Sequence, residues 1–367
     1  MKTESSRALS RWLDKLPGTG IRFDVNRQRL YRVHELYDGY DFVNPDSWTK
    51  TFDRKVYEWT LEKPLKNNGK DKERHLRPYE AVAANLHDVA ITRALGLFIN
   101  RTHKSIVGFM GGHDIRRDNP LFEEIARIAR TLRHHRFLIV SGGGPGLMEA
   151  ANFGAFMAPY DDHKFNRALR ILKLSPDATD QRAWIASAAS VREMLLGKWN
   201  GYEPAGSVSV GIPTWYYGSE PPNLFASHSG KYFFNSVRED GLVSIADCGT
   251  IFTEGAAGTV QEIFQGSTLN YYEIKRTKPT PMILFGKKYW NPGRKIPKSS
   301  KDKPVYPLLE AIAKQSTPHF SSAIRLTDSG KTVINFVVKF RRKHRRSSKT
   351  HAHPQRFKGR PKAVIGS

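Results

Sequence analysis

Short apolar runs alternate with amphipathic segments through the middle of the chain. Five runs predict buried strands, and glycine, proline or other small residues follow most of them: 105–110, 137–140, 207–212, 249–253 and 281–285. Apolar residues at helical spacing lie between them, as in residues 120–133, 147–157 and 260–272. Strands that alternate with helices build βαβ units. We therefore predict an α/β protein with a Rossmann-like, doubly wound, mainly parallel sheet.

The same pattern divides the chain into regions. The Rossmann-like domain should span residues 101–290, with a helical insertion at 160–200, and residues 291–338 should complete the fold. Residues 1–100 read as an accessory region, which is predicted to contain these elements in order: a short helix at 7–16, a strand at 55–61, an exposed loop at 64–78 and helical spacing at 79–100. Residues 339–367 lack apolar periodicity, so we expect a disordered basic tail.

Charge adds a preference for anionic ligands. The chain carries a net charge of +24, and eleven lysines and arginines between residues 339 and 362 account for part of it. Removing those eleven charges from +24 leaves +13, so the body is basic as well. Such a balance suits phosphates or nucleic acid. The tail at 339–362 either binds nucleic acid nonspecifically or is simply a solvated segment, and the sequence leaves both interpretations open.

Other sequence features bear on location. No run of about 18 apolar residues is present, so we expect no transmembrane helix and no membrane partner. Met1 is not followed by an apolar stretch, which argues against a signal peptide. Cys248 is the only cysteine, so no intrachain disulfide can form. A cytoplasmic location fits these features.

Candidate chemistry begins with a glycine-rich loop between the second predicted strand and its helix. Gly142, Gly143, Gly144 and Gly146 fall within five residues, and Leu147-Met148 follows. Glycines let the backbone approach a phosphate closely, and a helix start presents N–H groups to it. The loop matches neither the dinucleotide fingerprint nor the Walker A loop. The alternative is a tight turn without a ligand. Gly111 and Gly112, after the first strand, are further candidates.

A second loop joins the fourth predicted strand to its helix, from Glu254 to Glu262, and also has the form of an anion site. Its final glutamate has two interpretations. Thr259 and Glu262 have the spacing of a capping box, in which the glutamate only caps the helix. Otherwise Glu262 is a functional carboxylate. Arg238, on a predicted helix at 231–242, is by default a solvated arginine.

Four stretches taken in order resemble the LOG family of cytokinin-activating phosphoribohydrolases, whose members were formerly called lysine decarboxylases. They are the 142–148 loop, Gly211-Ile212-Pro213, the Arg238 position, and the segment 254–262. The resemblance covers about residues 104–290. It implies hydrolysis of the N-glycosidic bond of a nucleoside 5′-monophosphate, with release of the free base and ribose 5-phosphate, in a homodimer that uses neither a cofactor nor a metal.

The resemblance also implies roles for individual residues. Glu262 would be the essential carboxylate and Arg238 its partner. The substrate and its phosphate would lie against the following residues: Gly142, Gly143, Gly144, Gly146, Met148, Gly255, Gly258 and Thr259. Glu254 and Ala256 stand where the family has proline and glycine, and Glu239 follows Arg238 where the family has lysine. These differences leave open a protein that binds nucleotides without turning them over.

Overall fold

The computed structural model describes residues 20–61, 76–102, 105–216, 220–272, 279–293 and 300–350, without the side chains of residues 102, 239, 240 and 344–350. A seven-stranded parallel sheet forms its centre, in the order β4-β3-β2-β1-β5-β6-β7. The strands are β1 (Ile106–Met110), β2 (Leu138–Ser141), β3 (Ser209–Gly211), β4 (His228–Ser229), β5 (Thr250–Phe252), β6 (Met282–Phe285) and β7 (Ile324–Thr327). The predicted α/β, doubly wound, Rossmann-like fold is confirmed.

The direction of winding reverses once, beside β1. The chain moves outward from β1 to β4, and then returns to place β5 on the other side of β1. The register aligns Phe109 of β1 with Ser141 of β2 and with Ile251 of β5. In a sheet of this kind, the loops after the two strands at the reversal diverge and leave a crevice at the carboxyl ends. The space beyond the carboxyl ends of β1 and β5 is therefore the expected place for a ligand.

Helices cover both faces of the sheet. In chain order they are α1 (Val33–Leu36), α2 (Phe52–Trp59), α3 (Pro78–Thr102), α4 (Pro120–His134), α5 (Leu147–Phe156), α6 (Asp162–Lys173), α7 (Gln181–Leu196), α8 (Asn235–Ile245), α9 (Ala257–Tyr271), α10 (Lys287–Trp290), α11 (Val305–Lys314), α12 (Pro318–Ala323) and α13 (Gly330–Thr350). Helices α4, α5 and α13 pack together in one layer, and α8, α9 and α11 in another. Short 3-10 helices lie at Pro45–Lys50 and Ala205–Ser207.

All five strands predicted for the Rossmann-like domain are present, but the prediction of a strand at residues 55–61 in the accessory region is wrong. Residues 55–59 of this segment belong to α2, whose buried side chains include Asp53, Val56 and Tyr57 at helical spacing. Thr51 is the N-cap, and its hydroxyl accepts a hydrogen bond from the Arg54 N–H at 3.2 Å. A polar cap with an acid in the first turn favours a helix. The local alternation between apolar and polar residues was therefore misleading.

The predicted tail also differs at its start. Residues 339–350 continue α13 instead of being disordered. Val333 and Val337 are fully buried on one face of this helix, and Arg341 lies over the Phe137 ring, 3.8 Å from its centroid. These contacts stabilise the helix beyond the apolar segment. The helix predicted at 7–16, most of the loop predicted at 64–78 and the tail at 351–367 lie outside the described residues.

The N-terminal region packs into the same hydrophobic cluster as the sheet. Within the described part of the chain, α3 is the one helix long and apolar enough to cross a membrane by length and composition. It nevertheless contains three fully or nearly fully buried polar residues, Glu80, His87 and Asp88, and His87 Nε2 lies 2.9 Å from the Tyr31 hydroxyl. About 39% of its apolar window is buried inside the protein.

Candidate functional site

A cleft of about 450 Å³ opens at the carboxyl ends of β1 and β5, where the winding reverses. Its walls come from the loops after β1, β2 and β5, and from the first turns of α8 and α9. The predicted site residues that line it are Gly111, Gly112, Gly142, Met148, Arg238, Gly258, Thr259 and Glu262. The cleft therefore brings together parts of all three predicted loops and both residues predicted to act in catalysis.

Four predicted glycines do not line the cleft, and three of them belong to the loop after β2. Gly143 has φ +78° and Gly146 has φ +67°, conformations that favour glycine. A Cβ atom on Gly143 would lie 2.8 Å from the Ile212 nitrogen and 2.9 Å from Gly211 Cα. These two glycines are therefore required by the backbone itself.

Hydrogen bonds hold the same loop from behind. Asn223 donates its backbone N–H to the Gly143 carbonyl at 2.8 Å and its side-chain amide to the Gly144 carbonyl at 3.1 Å. The Ser141 hydroxyl accepts a hydrogen bond from the Gly143 N–H at 3.1 Å. The loop after β2 is thus a buried structural turn that presents only Gly142 to the cleft. The fourth glycine, Gly255, packs against Thr259 and Tyr289, whose hydroxyl donates to the Gly255 carbonyl at 2.5 Å.

Arg238 is not a solvated arginine. The residue is only 9% exposed, and its Nε donates to the Ile212 carbonyl at 2.8 Å. Its Nη1 donates to Asn235 Oδ1 at 2.9 Å, one turn earlier on α8. These bonds aim Nη2 at the space in front of Gly142, where an added Cβ atom would lie 2.7 Å from it. A guanidinium held this way offers a fixed cation and donor to an anionic ligand.

Glu262 is 7% exposed and lines the cleft from the second turn of α9. The capping-box interpretation is wrong for this residue. The helix begins at Ala257 with Ala256 as N-cap, and no side chain caps it. Thr259 is consequently the third helical residue, and Glu262 lies too far along the helix to reach back to the N-cap.

The first turn of α9 supplies an anion site of its own. The N–H groups of Ala257, Gly258 and Thr259 have no acceptor within the helix, and Ala256 has no side-chain acceptor to offer them. Ala256, Ala257, Gly258 and Thr259 all line the cleft. Beside them a Cβ atom on Gly258 would meet nothing within 4 Å. The helix start is therefore open to a ligand, and its dipole favours a negative charge.

Glu254, by contrast, is directed away from the cleft. Its backbone carbonyl accepts a hydrogen bond from the Gly112 N–H at 2.7 Å, and its side chain is half-buried near Gly286. Burial raises the pKa of its carboxyl, and the charges of Asp302 and Asp114 raise it further while Lys301 opposes them. The added acid of this loop does not line the ligand space.

Four polar residues that line the cleft were not among the predicted site residues: His113, Glu220, Asn235 and Gln261. His113 Nδ1 lies 3.8 Å from Glu220 Oε1, across the mouth of the cleft. Asn235 at the start of α8 holds Arg238, as described above, and its spacing of three residues is the signal that could have identified it. Glu220 belongs to no sequence motif that could have identified it, and only the tertiary structure brings it near Gly144.

The N-terminal region positions the site from behind. Both carboxylate oxygens of Asp88 accept hydrogen bonds from the Phe233 N–H, at 2.9 and 3.1 Å, and one also accepts from the Phe234 N–H at 2.8 Å. Phe234 is the N-cap of α8, which carries Asn235 and Arg238. Lys231 forms a buried ion pair with Asp53 of α2. The accessory region therefore fixes the segment from which Arg238 projects.

This arrangement places a cation, a row of N–H donors and a buried carboxylate around one space. The donors can bind a phosphate, and the carboxylate can stabilise positive charge that develops beside it. Among the described residues, no group of three or more histidines, cysteines, aspartates or glutamates could hold a metal ion.

Comparison with known proteins adds little to the geometry. No protein-family model matches the chain, and no curated protein matches it. Among solved structures, the molybdenum cofactor binding protein from the phototrophic bacterium Rippkaea orientalis is similar, with 14% identity and a TM-score of 0.35. The match covers 65% of this chain and 97% of that one. A likeness this distant carries no argument about function.

Proposed function

We propose that this protein hydrolyses the N-glycosidic bond of a nucleoside 5′-monophosphate. The observation that carries the proposal is the meeting of Arg238 and Glu262, both more than nine-tenths buried, in one cleft at the reversal of the sheet. The sequence resemblance assigns those two residues to this chemistry.

The substrate's phosphate would bind at the start of α9. The N–H groups of Ala257, Gly258 and Thr259 would donate to its oxygens, and the Arg238 guanidinium would neutralise part of its charge. The ribose would then extend toward Glu262, one turn further along the same helix. Glu220 and His113, which also line the cleft, would contact the base or the ribose hydroxyls.

The reaction breaks the bond between C1′ and the base nitrogen. The electron pair of that bond leaves with the base, which takes up a proton, and C1′ becomes an oxocarbenium-like centre. Water adds to C1′ and loses a proton, which yields ribose 5-phosphate. The Glu262 carboxylate would stabilise the positive charge at C1′ and orient the water or the ribose hydroxyls. A preorganised group of this kind contributes about 10²–10³-fold to the rate.

The test is to incubate the purified protein with AMP, GMP, CMP, UMP and IMP, and to measure free base by chromatography. We expect release of base from at least one nucleotide, and ribose 5-phosphate in equal amount. The matching nucleosides, which lack the phosphate, should react far more slowly because the α9 site is then empty. Absence of base from all five, where a LOG-type homologue is active, would reject the proposal.

A nucleotide-binding protein without turnover is the second candidate. Ala256 favours it, because this residue lines the cleft at a position where the related family has glycine. Its methyl group would keep the nucleotide further from the backbone at the start of α9. Calorimetry distinguishes the two: heat of binding from a nucleoside monophosphate, with no product after prolonged incubation, supports the second candidate.

A further inference from the structure

A second cleft, at the other end of the sheet, has a different chemical character. This basic groove, of about 400 Å³, lies between α12, β7 and α13. Pro279 lies three residues before β6 and Ala323 immediately before β7, so the groove lies at the amino ends of these strands. The candidate active-site cleft lies at the carboxyl ends. The two clefts can therefore bind different ligands independently.

Helix α13 presents one face to the basic groove. Phe336, Lys339, Phe340 and Lys343 line it, and their spacing of three, four and seven residues places them on one side of the helix. The adjacent face is used for packing: Val333 and Val337 are buried, and Arg341 donates to the His135 carbonyl at 2.7 Å. The helix thus separates a packing face from a face of alternating aromatic rings and lysines.

Among the described residues, every charged side chain that lines the groove is a cation: Arg325, Lys339 and Lys343. All three are exposed, as is His319 on the second wall, and no described aspartate or glutamate lines the groove. Helix α13 as a whole has eight lysines and arginines in 21 residues and no acid. No described residue of the groove wall offsets this charge, so the expected occupant is an anion with several charges.

The aromatic component narrows the choice of anion. The Arg325 guanidinium lies over the Phe336 ring, 4.8 Å from its centroid. Such a stacked pair presents planar surfaces on which an unpaired base can stack. Grooves that combine cations along a backbone path with aromatic platforms are typical of single-strand binding. The volume falls within the range of about 300–1,000 Å³ that holds ligand-sized groups.

We propose that the basic groove binds single-stranded nucleic acid, with phosphates on Lys339 and Lys343 and a base against Phe336 and Arg325. In a duplex the bases are stacked on one another, so their faces are not available to stack on Phe336 or Arg325. Edge strand β7 ends the sheet here, and Arg325 projects from it into solvent.

The test measures anisotropy of a fluorescent oligouridylate of about 15 nucleotides, with the full chain, at several salt concentrations. We expect binding that weakens with salt by about 0.7 logarithmic units per phosphate contact for each tenfold rise. The variant Lys339→Gln/Lys343→Gln should bind about tenfold more weakly, with a salt slope smaller by about 1.4. The matched control, Lys331→Gln/Arg342→Gln, removes the same charge from the other side of α13 and should lose less than about threefold.

Aromatic and fold controls complete the design. Phe336→Leu keeps an apolar side chain but removes the platform, and should weaken binding about fivefold or more. Should this variant melt at a much lower temperature, the exposed Arg325→Gln variant replaces it and should weaken binding similarly. Four results would overturn the proposal. The first two are equal losses of affinity in the two double variants, and an affinity for a duplex equal to that for the single strand. The others are displacement of the oligouridylate by polyglutamate as effective as by unlabelled oligouridylate, and loss of all binding on removal of residues 351–367 with no effect of the groove variants.

Discussion

Two glycine-rich loops leave the sheet at neighbouring points, yet the structure uses them differently. The loop after β2 contains four glycines in five residues, and is buried and hydrogen-bonded to Asn223. The loop after β5 contains fewer glycines, and it leads into the open first turn of α9. The loop with the stronger glycine signal therefore supports the fold, whereas the weaker one faces the ligand space. Glycine density alone does not identify a binding loop.

The reason for this difference lies in what a side chain would meet at each glycine. A Cβ atom on Gly143 would lie 2.8–2.9 Å from backbone atoms of the neighbouring strand and the residue that follows it. A Cβ atom on Gly258 would meet no protein atom within 4 Å, so the missing side chain leaves room for a ligand. A small residue that no neighbour requires is the better indicator of a ligand.

The largest effect should come from Glu262, which distinguishes the two acids of the loop after β5. We expect Glu262→Gln to lower the rate of base release about 10²–10³-fold, because the neutral amide cannot stabilise the charge at C1′. Its melting temperature should change little. The matched control is Glu254→Gln, an acid of the same loop that does not line the cleft, and it should retain activity within about threefold. Equal activities of the two variants would remove Glu262 from the mechanism.

A stability pair tests the two loops directly. Gly143→Ala should lower the free energy of unfolding by about 2–4 kcal/mol, because it combines a left-handed backbone with overpacking against the β3 backbone. Gly258→Ala should change it by less than about 1 kcal/mol, and in the stabilising direction, since alanine favours a helix. Denaturant titration of both variants measures the difference. Similar losses in both would mean that the loops do not differ as described.

Gly142 is the single residue of the β2 loop that should behave as a site residue. A Cβ atom there would overlap Met148 Sδ and approach Arg238 Nη2 to 2.7 Å. Both are ends of long side chains, which can move without disturbing the backbone. We expect Gly142→Ala to lower kcat/KM about 10- to 100-fold through displacement of Arg238. Unfolding should change by less than about 1 kcal/mol, and a larger loss would place Gly142 with Gly143.

The smallest effect concerns the pH dependence of stability at Glu254. Burial raises the pKa of this carboxyl above its ordinary value of 4.5. The folded state therefore binds the proton more tightly than the unfolded state, and stability falls as the pH rises from the unfolded pKa through the folded one. Glu254→Gln should melt slightly higher than the unaltered protein at neutral pH and match it at acidic pH. A variant that melts lower at neutral pH would contradict this sign.

Several elements could be predicted because their signals are local. Helix α4 begins where the sequence predicts and ends within one residue of the predicted bound, and the five apolar strands lie within a residue or two of their predicted bounds. Strands β4 and β7 were missed. β4 has only two residues, and Ile324-Arg-Leu-Thr327 is too short for its alternation to be separated from a turn. Both are stabilised by neighbours that are distant in sequence.

The site was predictable only in part for a related reason. The loops could be found because strand, small residues and helix follow one another along the chain. Which glycines face the ligand depends on β3 and Asn223, neither of which is next to the loop in sequence. Glu220 and His113 meet across the cleft although 107 positions separate their numbers. The capping-box alternative could be decided only once the start of α9 was known.

The sequence by itself determined a parallel α/β fold with its loops at one edge, because burial of short apolar runs imposes that architecture. It also determined the excess of positive charge. Only the tertiary structure decided that Arg238 and Glu262 share a cleft, that Glu254 lies outside it, and that the basic residues of α13 form a groove with two phenylalanines. Periodicity is a property of neighbouring residues, whereas a site is made by side chains that packing brings together from separate segments.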